Sequence, residues 1–418
     1  MVPPLLMHDD SSPSVSAKRA RLAWWVLLLA LAVAAVALGQ HPRRGLDFRV
    51  YLFAAERFLE GSDLYRPSDG AMPFKYAPVT APLFIPFTVF PARVAVALWN
   101  LGSILALAAV ARLTLRAPPA AGEATPWAWG PVLATTALLP AFGFELFYGQ
   151  VDAVLLLLLV LSAVGAERGH VWRPAVAFAL AFLLKPPAAL AGLFFLYRRH
   201  WRVIGATAAA GAVLVLPTLA RYGWDGTLTQ LQLWSETLAR TTPPWALGHN
   251  PQGLPTLLLS LVLPAESIPP PGSMTVAQVL AIGLFLAAIL WARPGPADLL
   301  AACCLGVTLL SPLAWRANYV LAWPLLRAAA EGRYRLNLVL VGLVALNGVL
   351  MSDSVLGAGP AHDAMLWRPF AIVYSVLLGV LLWQVRHAGA PRGVTAEGPV
   401  SRLPHALRGS RGRDASVI

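Results

Sequence analysis

Residues 22–38 read LAWWVLLLALAVAAVAL, seventeen positions without a charge. A helix of roughly 20 apolar residues crosses the ~30 Å hydrocarbon core of a bilayer. Lys18, Arg19 and Arg21 stand just before this run, and its Ala-rich end before Gly39 resembles a signal-peptide cleavage site. Cleavage is set aside because comparable apolar runs follow along the chain, and none of them needs a separate export signal. Further spans are expected at 93–113, 127–146, 150–166, 171–184, 187–197, 203–219, 275–292, 297–311, 317–330, 334–351 and 367–386. Segments 77–90 and 251–264 are too short to cross alone and read as interfacial or half-membrane helices.

Composition agrees. The 418 residues are 58% hydrophobic and only 12% charged, against about 25% charged in soluble domains. Such a chain cannot hide its apolar surface from water, whereas a bilayer accepts it. The fold class expected is an all-α polytopic membrane protein, a bundle of about 12 transmembrane helices at 18–386. Residues 1–17 and the Gly-, Pro-, Arg- and Ser-rich tail 387–418 read as disordered cytoplasmic ends. Cys303 and Cys304 are adjacent, a spacing that strains a disulfide, and read as small core- or lipid-facing residues. There is no CxxC and no HxxxH, so neither a metal site nor a cofactor is expected.

The formal net charge of +12 is explained by topology. With the N-terminus in the cytoplasm, cytoplasmic segments hold 20 of the 32 Lys and Arg residues but 8 of the 20 acids. The whole excess then lies inside, as the positive-inside rule requires, and no nucleic-acid partner is called for. Lys185-Pro186-Pro187 breaks 171–197 into two short legs, which places Lys185 at the outer face.

That orientation gathers the polar residues on the outer side. In the first outer loop, Phe48, Tyr51, Leu52, Ala55 and Leu59 recur at helical spacing, which predicts an amphipathic surface helix ended by Gly61. Asp47 at its start is either an N-cap or a catalytic base made more basic by partial desolvation. Lys75, in Phe74-Lys75-Tyr76-Ala77-Pro78, either snorkels to the interface or binds the phosphate of a lipid head group. Gln150 and Asp152, in Tyr148-Gly149-Gln150-Val151-Asp152, suit a turn and cap or the hydroxyls of a sugar. Lys185 beside apolar legs is costly unless paired or functional. The long loop 221–250 carries Trp224, Trp234, Trp245, His249 and Asn250, its indoles serving an aromatic belt or stacking on sugar faces. The last outer cluster runs Ser311-Pro312-Leu313-Ala314-Trp315-Arg316-Ala317-Asn318-Tyr319, where Arg316 offers a planar multidentate phosphate donor. Together these residues point to a polar ligand attached to a lipid.

The succession Asp47 … Tyr51 … Gly61-Ser62-Asp63-Leu64-Tyr65 … Phe74-Lys75-Tyr76-Ala77-Pro78 resembles the first loop of the polyprenyl-phosphate-dependent glycosyltransferases of family 87. Gly149-Gln150-Val151-Asp152, Lys185-Pro186, Asn250-Pro251-Gln252-Gly253 and Ser311-Pro312-Leu313-Ala314-Trp315 resemble further elements of that family, in order over residues 40–330. The resemblance implies a GT-C fold with surface helices in the first outer loop. It also implies inverting transfer of a sugar, mannose by family expectation, from a polyprenyl-phosphate donor to a glycolipid or glycan acceptor at the outer face of the cell membrane. It assigns the base to Asp47 and the donor phosphate to Lys75, with Lys185 as a second contact. Arg316 joins them as a phosphate ligand. Tyr51, Tyr76, Gln150, Asp152, His249, Asn250, Trp315 and Asn318 complete the candidate site as sugar or acceptor contacts. The chain departs from the family where one or two histidines usually follow the tryptophan: Ala317 and Asn318 stand there. A secondary transporter or a non-catalytic lipid-binding protein is the alternative, but no repeat relates the two halves and the polar residues lie at helix ends rather than mid-span.

Overall fold

The computed structural model describes residues 15–70, 72–113, 129–242, 246–332 and 334–387. Among these residues every regular element is a helix, as hydrocarbon demands, since each backbone N–H and C=O must be paired within its own segment. In chain order they are α1 (Val15–Gln40), α2 (Leu46–Glu60), α3 (Ala92–Arg112), α4 (Gly130–Ala137), α5 (Leu139–Tyr148), α6 (Asp152–Glu167), α7 (Trp172–Leu184), α8 (Gly192–Tyr197) and α9 (Trp201–Thr241). There follow α10 (Leu254–Ser260), α11 (Ser273–Ala292), α12 (Pro296–Leu309), α13 (Trp323–Ala330), α14 (Arg335–Leu350), α15 (Asp353–Leu356), α16 (Ala358–Leu366) and α17 (Pro369–His387). Residues 1–14 and 388–418, most of the two expected disordered ends, lie outside the described residues, and Val15–Ala17 already belongs to α1.

The protein is a multi-pass membrane protein. By length and composition α1, α3, α9, α11 and α17 can each cross a bilayer, and α4 and α5, bent by 62°, can form one broken span. Their outward faces are apolar: Leu29 on α1 is 65% exposed and Val279 on α11 is 64% exposed. Such surfaces are stable only against lipid. The remaining apolar helices are shorter than the spans read from the sequence, and α12 shows why. Every residue from Leu299 to Leu309 is buried, so this helix sits inside the protein and need not match the bilayer's thickness. Cys303 and Cys304 lie on it, free and buried, as expected.

A second, smaller core positions the site. Phe48, Tyr51, Leu52, Ala55 and Phe58 of α2 pack against Phe74, Phe84 and Trp99, with Phe48 stacked on Trp99 at 5.0 Å between ring centroids. The predicted amphipathic helix therefore exists and ends at Gly61, φ 71°. Its buried stripe includes Phe58 rather than Leu59, which is half exposed, and it faces protein. Asp47 lies inside the first turn and caps nothing; the cap position is Gly45. Segment 77–90 is a 3₁₀ helix, Pro78–Phe87, because Pro78, Pro82 and Pro86 remove the donors an α-helix needs.

The loop expected at 221–250 is largely helical. Helix α9 breaks at Gly223 (φ 69°, ψ −176°) and then continues to Thr241. This second part lies across the first loop. Gln230 accepts from the Leu64 N–H at 3.0 Å and donates to Asp63 at 2.8 Å, and Tyr222 donates to the Ser62 carbonyl at 2.9 Å. Trp234 Nε1 donates to the Lys75 carbonyl at 2.9 Å, so this indole positions a loop; Trp224 is exposed, and Trp245 lies outside the described residues.

Candidate active site

Two glycines bring the first loop onto the α5–α6 turn. The Gly45 N–H donates to the Phe147 carbonyl at 2.8 Å. Gly149 ends α5 at φ 70°, and a Cβ there would stand 2.7 Å from the Cβ of Phe48. Only glycine permits both the left-handed backbone and this approach. The result places Asp47 beside Gln150, whose Nε2 donates to the Asp47 carboxylate. The backbone of Gln150 is itself fixed, its carbonyl accepting from Trp99 Nε1 at 2.9 Å.

The next link runs through Asp152. Its carboxylate is fully buried at the start of α6 and accepts from Lys185 Nζ at 2.6 Å and from Asn318 Nδ2 at 2.7 Å. A buried charge requires such pairing. Lys185 reaches it because α7 stops at Leu184 and the residue before Pro186 is driven into an extended conformation, φ −149° and ψ 101°. Thr80 Oγ1 donates to the Leu183 carbonyl at 2.8 Å and ties the Pro78–Phe87 segment to the same helix end. Asn318 uses its other end as well, accepting from the Trp315 N–H at 2.8 Å.

Asp47 is half-buried between charges of both signs. Burial pushes its carboxyl pKa up to about 6; Lys185 and Lys75 pull it down, Asp152 pushes it up and the Gln150 hydrogen bond pulls it down. Lys75 is shifted below the usual lysine range, by burial, against the pull of Asp47. It makes no ion pair at salt-bridge distance among the described residues, whereas Lys185 is committed to Asp152. Tyr76 follows Lys75, its carbonyl accepting from Tyr65 Oη at 2.6 Å and its hydroxyl 2.9 Å from that of Tyr51. Chemically, the arrangement offers a base of raised pKa that is still mainly ionised at neutral pH, faced by cations able to stabilise a developing anion.

The other expected residues sit further out. Arg316 Nη1 donates to the Met351 carbonyl at 2.7 Å, and its guanidinium carbon lies 4.2 Å from the Phe144 ring centroid. Trp315 meets Tyr148 edge to face at 6.5 Å, so both residues flank the α5 end rather than Asp47 itself. His249 belongs to another cluster. Its ring is 4.2 Å from that of His362, and both share a neighbourhood with Glu266, while Asn250 is half-buried in the same turn. Asn318 stands where the family usually has a histidine, and its Nδ2 contacts Asp152.

Several residues of this region escaped sequence reading. Glu145, buried within α5, accepts from the Ala153 N–H at 2.9 Å and shapes the turn before Asp152. Gln252 is fully buried and bonds backbone on both sides of its loop. Arg368, also fully buried, donates to the carbonyls of Leu247 and Pro251. Glu145 and Arg368 carried a usable signal, since a lone charge in or beside an apolar run is expensive and therefore employed. Gln252 stands in the quoted motif, but its backbone-binding role has no sequence signature.

The sequence profile of Glycosyltransferase family 87 matches residues 74–314. The chain belongs to this family. Two relatives carry the name polyprenol-phosphate-mannose-dependent alpha-(1-2)-phosphatidylinositol mannoside mannosyltransferase. The one from Mycobacterium tuberculosis is 27% identical, over 86% of this chain and 90% of its own. The one from Mycolicibacterium smegmatis is 28% identical, over 88% of this chain and 90% of its own. The crystal structure of ArnT from Cupriavidus metallidurans bound to undecaprenyl phosphate aligns with 87% of this chain and 77% of that one, at 15% identity and a TM-score of 0.35. Membership in family 87 makes the Asp47 cluster a candidate glycosyl-transfer site, although the matched profile begins only at Phe74.

Proposed function

We propose that this chain is an inverting hexosyltransferase that moves a sugar, mannose, from a polyprenyl-phosphate donor to a glycolipid or glycan acceptor. The single observation that carries the reading is the carboxylate of Asp47, raised to about 6 and facing Lys75 and Lys185. The names of the family 87 relatives support the donor.

In the reaction the acceptor hydroxyl lies against Asp47, and its oxygen attacks the anomeric carbon from the face opposite the phosphate. Asp47 takes the hydroxyl proton as the new C–O bond forms. The bond from the anomeric carbon to the phosphate oxygen breaks, and its electron pair leaves on the polyprenyl phosphate. Lys75 binds that phosphate directly, and Lys185, held by Asp152, adds positive field; Arg316 serves at the rim. Tyr51, Tyr76 and Gln150 frame the sugar and acceptor beside Asp47, Trp315 stands at the rim with Arg316, and Asp152 and Asn318 hold Lys185 in place. The displacement is single and calls on no cofactor, and no nucleic acid takes part. The positive-inside charge pattern supports a cell-membrane bundle of about 12 spans with both termini cytoplasmic and this site outside, the arrangement of a GT-C enzyme.

Membranes containing the chain, supplied with polyprenyl-phosphate radiolabelled mannose, should transfer label to a lipid or glycan fraction, and Asp47→Asn membranes should not. Label accumulating unchanged inside sealed vesicles would replace the enzyme reading with a transporter.

A further inference from the structure

We propose that His249, Glu266 and His362 form a binding site for a divalent metal of the zinc class, and that this site locks together the loops beside the transfer site. The three ligating atoms all lie within 4.8 Å of one another. His362 Nε2 is 2.9 Å from Glu266 Oε1, and the two imidazole centroids are 4.2 Å apart. Tetrahedral zinc with ligand bonds near 2.0–2.1 Å separates its donors by about 3.4 Å. The 2.9 Å pair must open by about half an ångström and the widest must close by at most about 1.4 Å, which side-chain rotation supplies. Two imidazoles and one carboxylate are a donor set suited to zinc, with the fourth position left to water.

The three residues come from separate segments, and the protein builds each into place. His249 lies in the turn between α9 and α10, Glu266 in the loop between α10 and α11, and His362 on α16. Buried Arg368 grips the first segment, donating to the carbonyls of Leu247 at 2.8 Å, Gly248 at 2.5 Å and Pro251 at 3.3 Å. Gln252 Nε2 donates to the carbonyls of His249 and Met365, each at 2.8 Å, and so fastens the first histidine's backbone to the helix of the second. Glu266 is held by its N–H to the Leu247 carbonyl at 3.1 Å and adopts φ 59°, a region a side-chain-bearing residue rarely occupies. A surface ion pair between His362 and Glu266 would account for one contact, but not for a second imidazole or for the strained backbone of the glutamate.

The consequence reaches the transfer site. From His249 the turn continues to Gln252, whose N–H donates to the Ala314 carbonyl at 2.6 Å and whose carbonyl accepts from Tyr319 Oη at 2.6 Å. Between those two contacts stands Asn318, which holds Asp152. Metal bound at the histidines stiffens the segment that presents Asn318.

The test uses the full chain in detergent, purified without a polyhistidine tag, stripped by chelator, reloaded with Zn²⁺ or Co²⁺ and desalted. Wild type should retain about one equivalent per chain, show the visible absorption of tetrahedral Co²⁺, and melt at a higher temperature with zinc than without. His249→Ala and the size-conserving His362→Gln should each lose the retained metal, the Co²⁺ band and the zinc-dependent rise in melting temperature. His387→Ala, a histidine outside the cluster, should keep all three. Each variant is scored only as a monodisperse peak, and His362→Gln, altering a partly exposed side chain, guards against misfolding. Wild type that retains no metal, or variants that retain as much as wild type, would overturn the proposal.

Discussion

Replacing Asp47 with asparagine separates two consequences of one carboxylate. Burial raises its pKa from 3.8 to about 6 in the folded chain. The folded state therefore holds the proton more tightly than the unfolded state. The ionised group leaves stability untouched below about pH 4, lowers it progressively as pH rises to about 6, and lowers it by a constant amount above that. At about 1.4 kcal/mol per pKa unit the neutral-pH cost is about 3 kcal/mol. Asparagine keeps the shape and an oxygen for Gln150 but cannot ionise, so Asp47→Asn should melt at or above the wild-type temperature at pH 7.5, the difference shrinking toward pH 5. Its transfer activity should fall roughly 100- to 10,000-fold, the usual contribution of a general base. The assay pairs thermal unfolding in detergent at several pH values with radiolabelled mannose transfer from the polyprenyl-phosphate donor. Transfer within a few-fold of wild type would refute the base. A variant less stable than wild type at neutral pH would refute the burial argument behind it.

The pH dependence of kcat/KM should show an acid limb with a midpoint near 6, where Asp47 must lose its proton to act, and an alkaline limb starting below the usual lysine range, where Lys75 loses its charge. Lys185→Met strands the buried Asp152 carboxylate and should cost about 3–5 kcal/mol, read as lost monodisperse protein, while Lys185→Met with Asp152→Asn should restore the yield without restoring transfer. Gly149→Ala forces a Cβ into the left-handed region against Phe48 and should push α2 from the α5–α6 turn, lowering transfer with little change in expression. Trp234→Phe removes the donor to the Lys75 carbonyl and should raise the donor KM more than it lowers kcat.

Much of the site's membership was legible in the sequence, and its geometry was not. Asp47, Gln150, Asp152, Lys75 and Lys185 could be singled out because each is a polar residue at the end of an apolar run, where its presence is costly. The order of the motifs added the family. Nothing in that order told Asp152 from Gln150, yet the fold makes Gln150 the partner of Asp47 and buries Asp152 under Lys185 and Asn318. Arg316 and His249 had as strong a signal as Lys75, but a backbone carbonyl takes the first and a second histidine faces the other. The helical half of α9 was hidden because its aromatic and polar residues fit a loop as readily as a helix that covers other protein.

By itself the sequence determined that this chain lives in a membrane, that it is helical, where its polar residues gather and which family its motifs follow. Those properties follow from transfer free energies and backbone pairing, which act residue by residue along the chain. Only the tertiary structure decided which helices are long enough to meet lipid, which carboxylate stands between two lysines, and that two histidines and a glutamate from three separate segments come together. Those are contacts between residues far apart in the chain, set by glycine-permitted close approach and by the pairing that buried charges require.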